Sequence, residues 1–241
     1  MPDDVPAMSG PNVPVPDVPV PGLPVPGTSG RRGEHRWPMA IAALTAGVLH
    51  ELLPRDFRVA PLWIYPVFLV VFLLLLIAGD PGLIDRDRPW LRVTTGLMIA
   101  LITFVNGTAA IRLVAGILHP GSFDTASQLL GIGSIVWLTN IVAFALWFWD
   151  LDGGGASARA AHGATSNPAF VFPEMTYPEF APKSWYPQFV DYLALSFNTA
   201  TAFGPTDVSA LKRWAKTMMI SESLISLALA TLVVARAVNI L

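Results

Sequence analysis

The sequence predicts an all-α membrane protein with five transmembrane helices, a re-entrant half-helix before the last of them, and a disordered, proline-rich amino-terminal tail. Three observations lead to this fold class. The 241 residues are 53% hydrophobic and only 13% charged, with a mean hydropathy of +0.54, which is far more apolar than an ordinary soluble domain. Five apolar runs follow one another along the chain, and a run of proline repeats precedes them.

Residues 1–36 differ in composition from the rest of the chain. Between Asn12 and Pro26 they read NVPVP, DVPVP and GLPVP, and frequent proline removes backbone donors and fixes φ. We therefore expect a disordered tail. The alternative is a docking site for a partner that recognises proline-rich segments. A secretory signal is not expected, because no apolar stretch follows a basic start.

The transmembrane helices are predicted from run length, since a bilayer core of about 30 Å needs about 20 helical residues. Residues 37–150 contain four such runs, and residues 151–185 form a connection rich in Gly, Pro and aromatic residues, expected in water or at the membrane surface. Residues 186–241 contain the half-helix and the last run. The predicted spans are Trp37 to Leu53, Ala60 to Ala78, Val93 to Leu118, Leu129 to Trp149, and about Ala215 to Leu241.

The half-helix is predicted between Phe189 and Ala202, where the apolar pattern has only about half of the length that a span requires. The following stretch, AFGPT, contains a Gly and a Pro that stop the helix. Irregular backbone is tolerated at membrane depth only where protein or a water-filled cavity covers it. The segment is therefore expected to dip into the membrane and return. The alternative is an amphipathic helix on the membrane surface, with Asp191 at the interface.

The order of half-helix, threonine-rich turn, glycine, aspartate and inner helix resembles the pore module of two-helix potassium channels. Their filter pattern, T-x-T-T-V-G-Y-G-D, aligns without a gap on this chain, and their basic residue and inner-helix hinge fall on Lys216 and Ser226. The resemblance is confined to residues 186–241, and it implies an ion pathway built from several copies of the chain around an axis. The pore-loop candidates are Thr199, Thr201, Ala202, Phe203, Gly204, Pro205, Thr206 and Asp207.

The chain also departs from the potassium filter. That filter holds its backbone carbonyls in a shape that needs glycine at two positions, and only Gly204 is present. Pro205 cannot adopt positive φ, Thr206 replaces the second glycine, and Ala202 lacks the hydroxyl that would coordinate the innermost ion. The sequence therefore predicts a less selective pore for an inorganic cation, or a pore-like fold without conduction.

A second resemblance covers more of the chain. Tyr192 to Phe197, Thr206-Asp207-Val208, the basic cluster from Lys212 to Lys216, and the closing Val238-Asn239-Ile240 are similar to an uncharacterised family of bacterial five-span membrane proteins. The resemblance implies the same architecture in a bacterial cytoplasmic membrane. A cytoplasmic amino terminus satisfies the positive-inside rule, because it leaves only Arg55 and Arg58 in an outside loop. The dip then enters from the cytoplasm, as in glutamate-receptor channels and opposite to potassium channels.

Glu222 is the strongest intramembrane candidate, since an ionisable group inside a span is costly and functional by default. It lies about two turns into the last helix, near Ser221, Ser223 and Ser226. It is either a proton or cation site, or a packing residue held by an ion pair or a hydrogen bond.

The sequence contains no Ser/His/Asp set, phosphate loop, metal-ligand spacing or nucleotide fingerprint. We therefore predict no catalytic residue, metal or cofactor, and no nucleic-acid partner. Two functions remain. The first is an oligomeric, channel-like ion pathway in the lipid bilayer. The second is a non-conducting scaffold or assembly partner that uses the tail for docking.

Overall fold

The computed structural model describes residues 33–59, 61, 63–84, 88–119, 123–162, 167–182, 185–201 and 207–240. Helices make up 77% of these residues. The predicted tail, apart from its last four residues, lies outside the described part of the chain. The pore-loop candidates Ala202, Phe203, Gly204, Pro205 and Thr206 also lie outside it.

The first half of the chain forms four helices: α1 (Trp37–Glu51), α2 (Ile64–Gly79), α3 (Pro89–Leu118) and α4 (Ala126–Leu151). Their starts follow local chemistry. Proline occupies an early position in α1 and α3, where a missing N–H costs nothing. The Thr125 side chain caps α4 by accepting from the Gln128 backbone N–H at 3.2 Å.

The second half alternates short and long helices. It contains α5 (Ala156–His162), α6 (Pro173–Thr176), the 13-residue α7 (Phe189–Thr201) and α8 (Arg213–Ile240). This chain also contains two short antiparallel strand pairs, each of which joins segments that are distant in the sequence. Strand β1 (Glu34–His35) pairs with β2 (Leu83–Ile84), and β3 (Phe170–Val171) pairs with β4 (Ser209–Ala210).

Three helices of the described chain are long and apolar enough to cross a membrane: α3, α4 with the short 3-10 turn that follows it, and α8. This result agrees with the prediction of a helical chain with membrane-spanning helices. Helices α1 and α2 have 15 and 16 residues, fewer than the roughly 20 that a straight span requires. The predicted count of five spans therefore depends on these two shorter helices.

Both strand pairs lie at one end of the helix bundle, which we call the strand end. The Glu34 carboxylate binds the indole of Trp149 and the backbone N–H of Phe189, and the Phe170 ring contacts the rings of Tyr192 and Trp214. Helices α7 and α8 thus both begin near this end, and α4 finishes there. The connections α1–α2 and α3–α4 meet at the opposite end, where the rings of Phe57 and Phe123 stack.

Helix α7 runs parallel to the first part of α8. Tyr192 and Trp214 share Phe170 as a neighbour, and further from the strand end the Ser223 hydroxyl donates to the carbonyl of Thr199 at 3.0 Å. With a rise of about 1.5 Å per residue, α7 is less than half as long as α8. It therefore ends inside the bundle, and by β4 the chain is back at the strand end.

Helix α4 is the centre of the bundle and packs against α1, α3, α7 and α8. It approaches α8 closely at Gly133, where a β-carbon would lie 2.9 Å from both γ-carbons of Val233. Close approach through a small residue is the usual way in which membrane helices pack.

Part of the connection between α4 and α7 is buried, although its composition suggested a watery or interfacial segment. Arg159, Phe170 and Phe172 are all buried at the strand end. The aromatic side chains that indicated an interface instead form ring contacts with one another and with α7. These contacts hold the start of α7 against the end of α4.

Candidate functional site

The described pore-loop candidates do not converge on one site. Thr199 is buried and its hydroxyl donates to the Leu195 carbonyl within α7, while the Thr201 hydroxyl donates to the Asn198 carbonyl. Asp207 is exposed, on the return to the strand end. Both threonine hydroxyl protons are therefore used by the helix that carries them.

Glu222 is fully buried between α4, α7 and α8. Its Oε1 atom is in close contact with the Ser196 hydroxyl, and that hydroxyl is also 2.8 Å from the backbone carbonyl of Ile141. The second carboxyl oxygen, Oε2, has no hydrogen-bond partner among the described residues. A buried polar atom without a partner is rare in proteins and calls for an explanation.

Other buried polar side chains continue from Glu222 across α8, α4 and α3. The Asn140 amide lies 3.3 Å from the Ser226 hydroxyl and donates to it. The Asn106 amide, oriented to satisfy both neighbours, donates to the Val136 carbonyl at 3.2 Å and accepts from the Asn140 backbone N–H at 3.3 Å. Together with Ser196 and Glu222, these side chains form what we call the polar seam.

The three serines near Glu222 in the sequence occupy different surroundings in the structure. Ser226 is one turn further along α8 and fully buried, whereas the Ser221 hydroxyl donates to its own helix at Thr217. Ser196 was not predicted. It lies on the face of α7 that also carries Phe189 and Tyr192, all of them buried, so helical spacing places it on the packed face.

Comparison with known proteins supplies no relative. No protein-family model matches the chain, and no curated protein or solved structure matches it. Both sequence resemblances therefore stay predictions. The chemistry of the site has to be read from its own side chains.

The polar seam combines one acidic side chain with several neutral polar ones. The described residues contain no group of three or more His, Cys, Asp or Glu side chains that could hold a metal ion. Glu222 is the one carboxyl group in the seam. The carboxyl end of α7 also approaches it, because Ser223, the next residue along α8, binds the Thr199 carbonyl. Helix carboxyl ends carry partial negative charge, which favours a cation.

A second buried cluster lies at the strand end, and the sequence analysis missed it. Glu34 Oε2 accepts from the Trp149 indole at 2.8 Å, and Oε1 accepts from the Phe189 N–H at 2.5 Å. Burial raises the pKa of the Glu34 carboxyl above its ordinary value of 4.5, against the opposing effect of both N–H donors and of Arg159. This carboxyl group fixes the first turn of α7 to the end of α4.

Asp152 and Arg159 complete the strand-end cluster. The Asp152 carboxylate accepts from the Ala169 N–H at 2.5 Å and from the Tyr192 hydroxyl at 2.6 Å. The Arg159 guanidinium donates to the carbonyls of Trp149 and Asp152 and lies 4.9 Å from the centre of the Tyr192 ring. These contacts join segments that are distant in the chain, so no local pattern reveals them.

A small cavity of about 40 Å³ lies beside the strand-end cluster. Arg36 and Asp80 form an ion pair at 3.3 Å at its edge, and Arg88, Arg92 and Asp150 also line it. This volume is enough for a few water molecules. The strand end is therefore polar and charged, in contrast to the apolar helix surfaces between the two ends.

Titration of Glu34 is expected to make stability depend on pH. Because its folded-state pKa lies above 4.5, Glu34 contributes stability that is present below that pH and is lost as the pH rises through the raised pKa. In detergent, the unfolding midpoint of the wild type should fall across this window relative to Glu34→Gln. Glu179→Gln, at an exposed position, should keep the wild-type slope. Parallel curves for wild type and Glu34→Gln would contradict the expectation.

Proposed function

We propose that this chain is a five-span protein of the bacterial cytoplasmic membrane, with α7 as a re-entrant half-helix, and that it forms a channel-like ion pathway past Glu222. The observation that carries the proposal is a buried carboxyl group beside the carboxyl end of a half-helix, inside the bundle. The carboxyl group and the partial negative charge of the helix end then lie together where a transported cation would be least hydrated.

The direction of each helix supports the five-span topology. Helices α1 to α4 alternate between the strand end and the opposite end, and α7 and α8 both start at the strand end. The half-helix therefore enters and leaves by one face. Helices α1 and α2 reach across a bilayer if the membrane thins beside them, because short spans are accommodated in this way.

The distribution of cationic side chains supports a cytoplasmic strand end. A surplus of Arg and Lys marks the cytoplasmic side of short loops and helix ends. The described cationic residues at the strand end are Arg36, Arg88, Arg92, Arg159, Lys212, Arg213 and Lys216, and those at the opposite end are Arg55, Arg58, Arg112 and Arg236.

The surface of α8 favours a homo-oligomer. Its buried residues form one narrow stripe that includes Glu222, Ser226 and Val233, and the face away from the bundle is exposed. A pore loop encloses a cavity only when several copies surround an axis. The exposed apolar side chains of α8 available for such contacts or for lipid are Ile220, Leu224, Ile225, Leu227, Val234 and Val238.

Ion flux in liposomes tests the proposal. Purified wild-type protein should release a potassium or proton gradient, and Glu222→Gln should reduce the rate at least about tenfold, because it removes the one buried carboxyl group of the pathway. Glu179→Gln is the matched control, since the same chemical change falls on an exposed side chain. Equal flux through wild type, Glu222→Gln and empty liposomes would reject the ion pathway and favour the scaffold.

Sidedness is checked in the same liposomes by cysteine labelling, because the chain has no native cysteine. Single cysteines replace exposed residues: Glu179 before α7, Asp207 after it, and Asp124 at the opposite end. An impermeant thiol reagent should label the first two from one side and the third from the other. Labelling of Glu179→Cys and Asp207→Cys from opposite sides would exclude a re-entrant α7.

A further inference from the structure

Three oxygen atoms are linked by two contacts where α4, α7 and α8 meet, and we call them the oxygen row. The Ser196 hydroxyl oxygen takes part in both contacts: the Ile141 carbonyl oxygen is 2.8 Å away, and Glu222 Oε1 is in close contact. The first separation is that of an ordinary hydrogen bond, and the second is shorter. Ser196 and Glu222 are fully buried, so water from the bulk does not separate these atoms.

Two hydrogen bonds in this row need two protons. A serine hydroxyl has one proton to donate, a carbonyl oxygen has none, and an ionised carboxylate has none. If Glu222 were ionised, the single Ser196 proton would have to serve both neighbours, so at least one of the two contacts would lack a full hydrogen bond. If Glu222 is protonated, it donates to Ser196, and Ser196 donates to the Ile141 carbonyl.

We infer that Glu222 is held as a neutral carboxylic acid and that the polar seam is a proton-binding site, so the ion that it takes is a proton and not a metal cation. The proton-binding state follows from the row of oxygens alone. Its meaning for transport rests on the proposed ion pathway.

The surroundings of Glu222 contain no charged partner among the described residues. Charged side chains on the helices packed against α8 lie near helix ends: Arg92 and Arg112 on α3, Asp150 on α4, and Asp191 on α7. On α8 itself they are Arg213, Lys216 and Arg236. The polar groups that face the seam are neutral: Ser196, Asn140, Ser226 and Asn106. An ionised Glu222 would therefore be buried without compensation, at a large cost.

The seam offers little to a metal cation. A dehydrated metal ion needs several oxygen atoms to replace its water shell. The Asn140 amide nitrogen points at Ser226, so it presents a donor to that hydroxyl, and the Ser196 oxygen already accepts from Glu222 in the protonated arrangement. A proton on Oε1 completes both contacts of Ser196 and needs no further ligand, and Oε2 is then the unpartnered carbonyl oxygen of the acid.

Loss of the proton should loosen the contact between α4 and α7. The Ser196 hydroxyl would turn its proton towards the new carboxylate and release the Ile141 carbonyl, which belongs to α4. Proton release at Glu222, on α8, thus changes the hydrogen bond between Ser196 on α7 and Ile141 on α4. The half-helix is the element that would respond, because Ser196 is on α7.

Infrared difference spectroscopy of the purified protein tests the inference directly. The spectrum of the wild type at neutral pH should contain the carbonyl stretch of a protonated carboxylic acid, and Glu222→Gln should lose one such band. Ser196→Ala should keep the band and shift its frequency, because the hydroxyl that accepts the Glu222 proton is gone. Glu179→Gln, an exposed position, should leave the band unchanged.

Three results would overturn the inference. The first is identical carboxylic-acid bands in wild type and Glu222→Gln at neutral pH. The second is loss of the band when sodium or potassium is added at constant pH. The third is a band that does not respond to Ser196→Ala. If Glu222→Gln does not fold, Glu222→Asp serves instead, and its band should move in frequency. Failure of the liposome flux with the band present would reject the ion pathway and leave the proton site intact.

Discussion

Replacing Asp152 by Ala is expected to lower the free energy of unfolding by about 2–5 kcal/mol, because it removes the acceptor for two buried donors and leaves both without a partner. The donors are the Ala169 N–H and the Tyr192 hydroxyl. Arg159 is only 1% exposed, and two of its nitrogen atoms have no hydrogen-bond partner among the described residues. Its bond to the Asp152 backbone carbonyl does not depend on the Asp152 side chain, so the expected loss comes from the two donors.

The measurement is the thermal unfolding midpoint in detergent, followed by tryptophan fluorescence. Asp124→Ala is the matched control, since Asp124 is exposed at the opposite end and its loss should cost less than about 0.5 kcal/mol. Asp152→Asn should fall between the two, because the amide keeps one acceptor oxygen. Equal midpoints for Asp152→Ala and Asp124→Ala would show that the cluster does not stabilise the bundle.

Gly133→Leu is expected to destabilise the protein by about 3 kcal/mol, because the added side chain would separate α4 from α8. A β-carbon alone would already lie 2.9 Å from two methyl groups of Val233. Gly131→Leu is the control two residues earlier, where a β-carbon meets nothing within 4 Å. The same fluorescence measurement should show a loss for Gly133→Leu and little change for Gly131→Leu.

A smaller substitution makes the test of this contact sharper. Gly133→Ala should destabilise less than Gly133→Leu, and adding Val233→Ala should recover part of the loss by making room for the new methyl group. If Gly131→Leu costs as much as Gly133→Leu, the effect comes from glycine replacement in α4 and not from the contact with α8.

The helices with the strongest apolar runs were the easiest to predict, although their ends were not. The spans predicted from Val93 to Leu118 and from Leu129 to Trp149 correspond to α3 and α4, and each helix begins several residues earlier than predicted. Hydropathy detects the apolar middle of a helix, whereas Pro89 and the Thr125 cap determine where the backbone first becomes helical.

The polar seam was predictable only in part. Glu222 stands out because carboxyl groups are rare in apolar helices, and Ser226 follows from the spacing of one turn. Ser196 requires knowledge of how α7 is rotated against α8, which a single sequence does not contain. Ser221 is next to Glu222 in the sequence, but adjacent residues of a helix point about 100° apart. The Ser221 side chain therefore does not face the seam.

The strand-end cluster was not predictable from local patterns. Glu34 binds groups on α4 and α7 that are 115 and 155 residues away in the chain. Charged residues that flank apolar runs normally remain in water, so hydropathy alone indicates no special role for them. Their burial depends on the fold of the α4–α7 connection, whose Arg159 and Phe170 cover them.

The short length of α1 and α2 has a consequence for the lipid around the protein. These helices are adjacent to each other and have 15 and 16 residues, against 30 in α3. If α1 and α2 span the bilayer as proposed, the acyl chains beside them must compress while those beside α3 need not. This one-sided hydrophobic mismatch gives the protein a preferred thickness gradient and favours its lateral sorting into thinner patches of membrane.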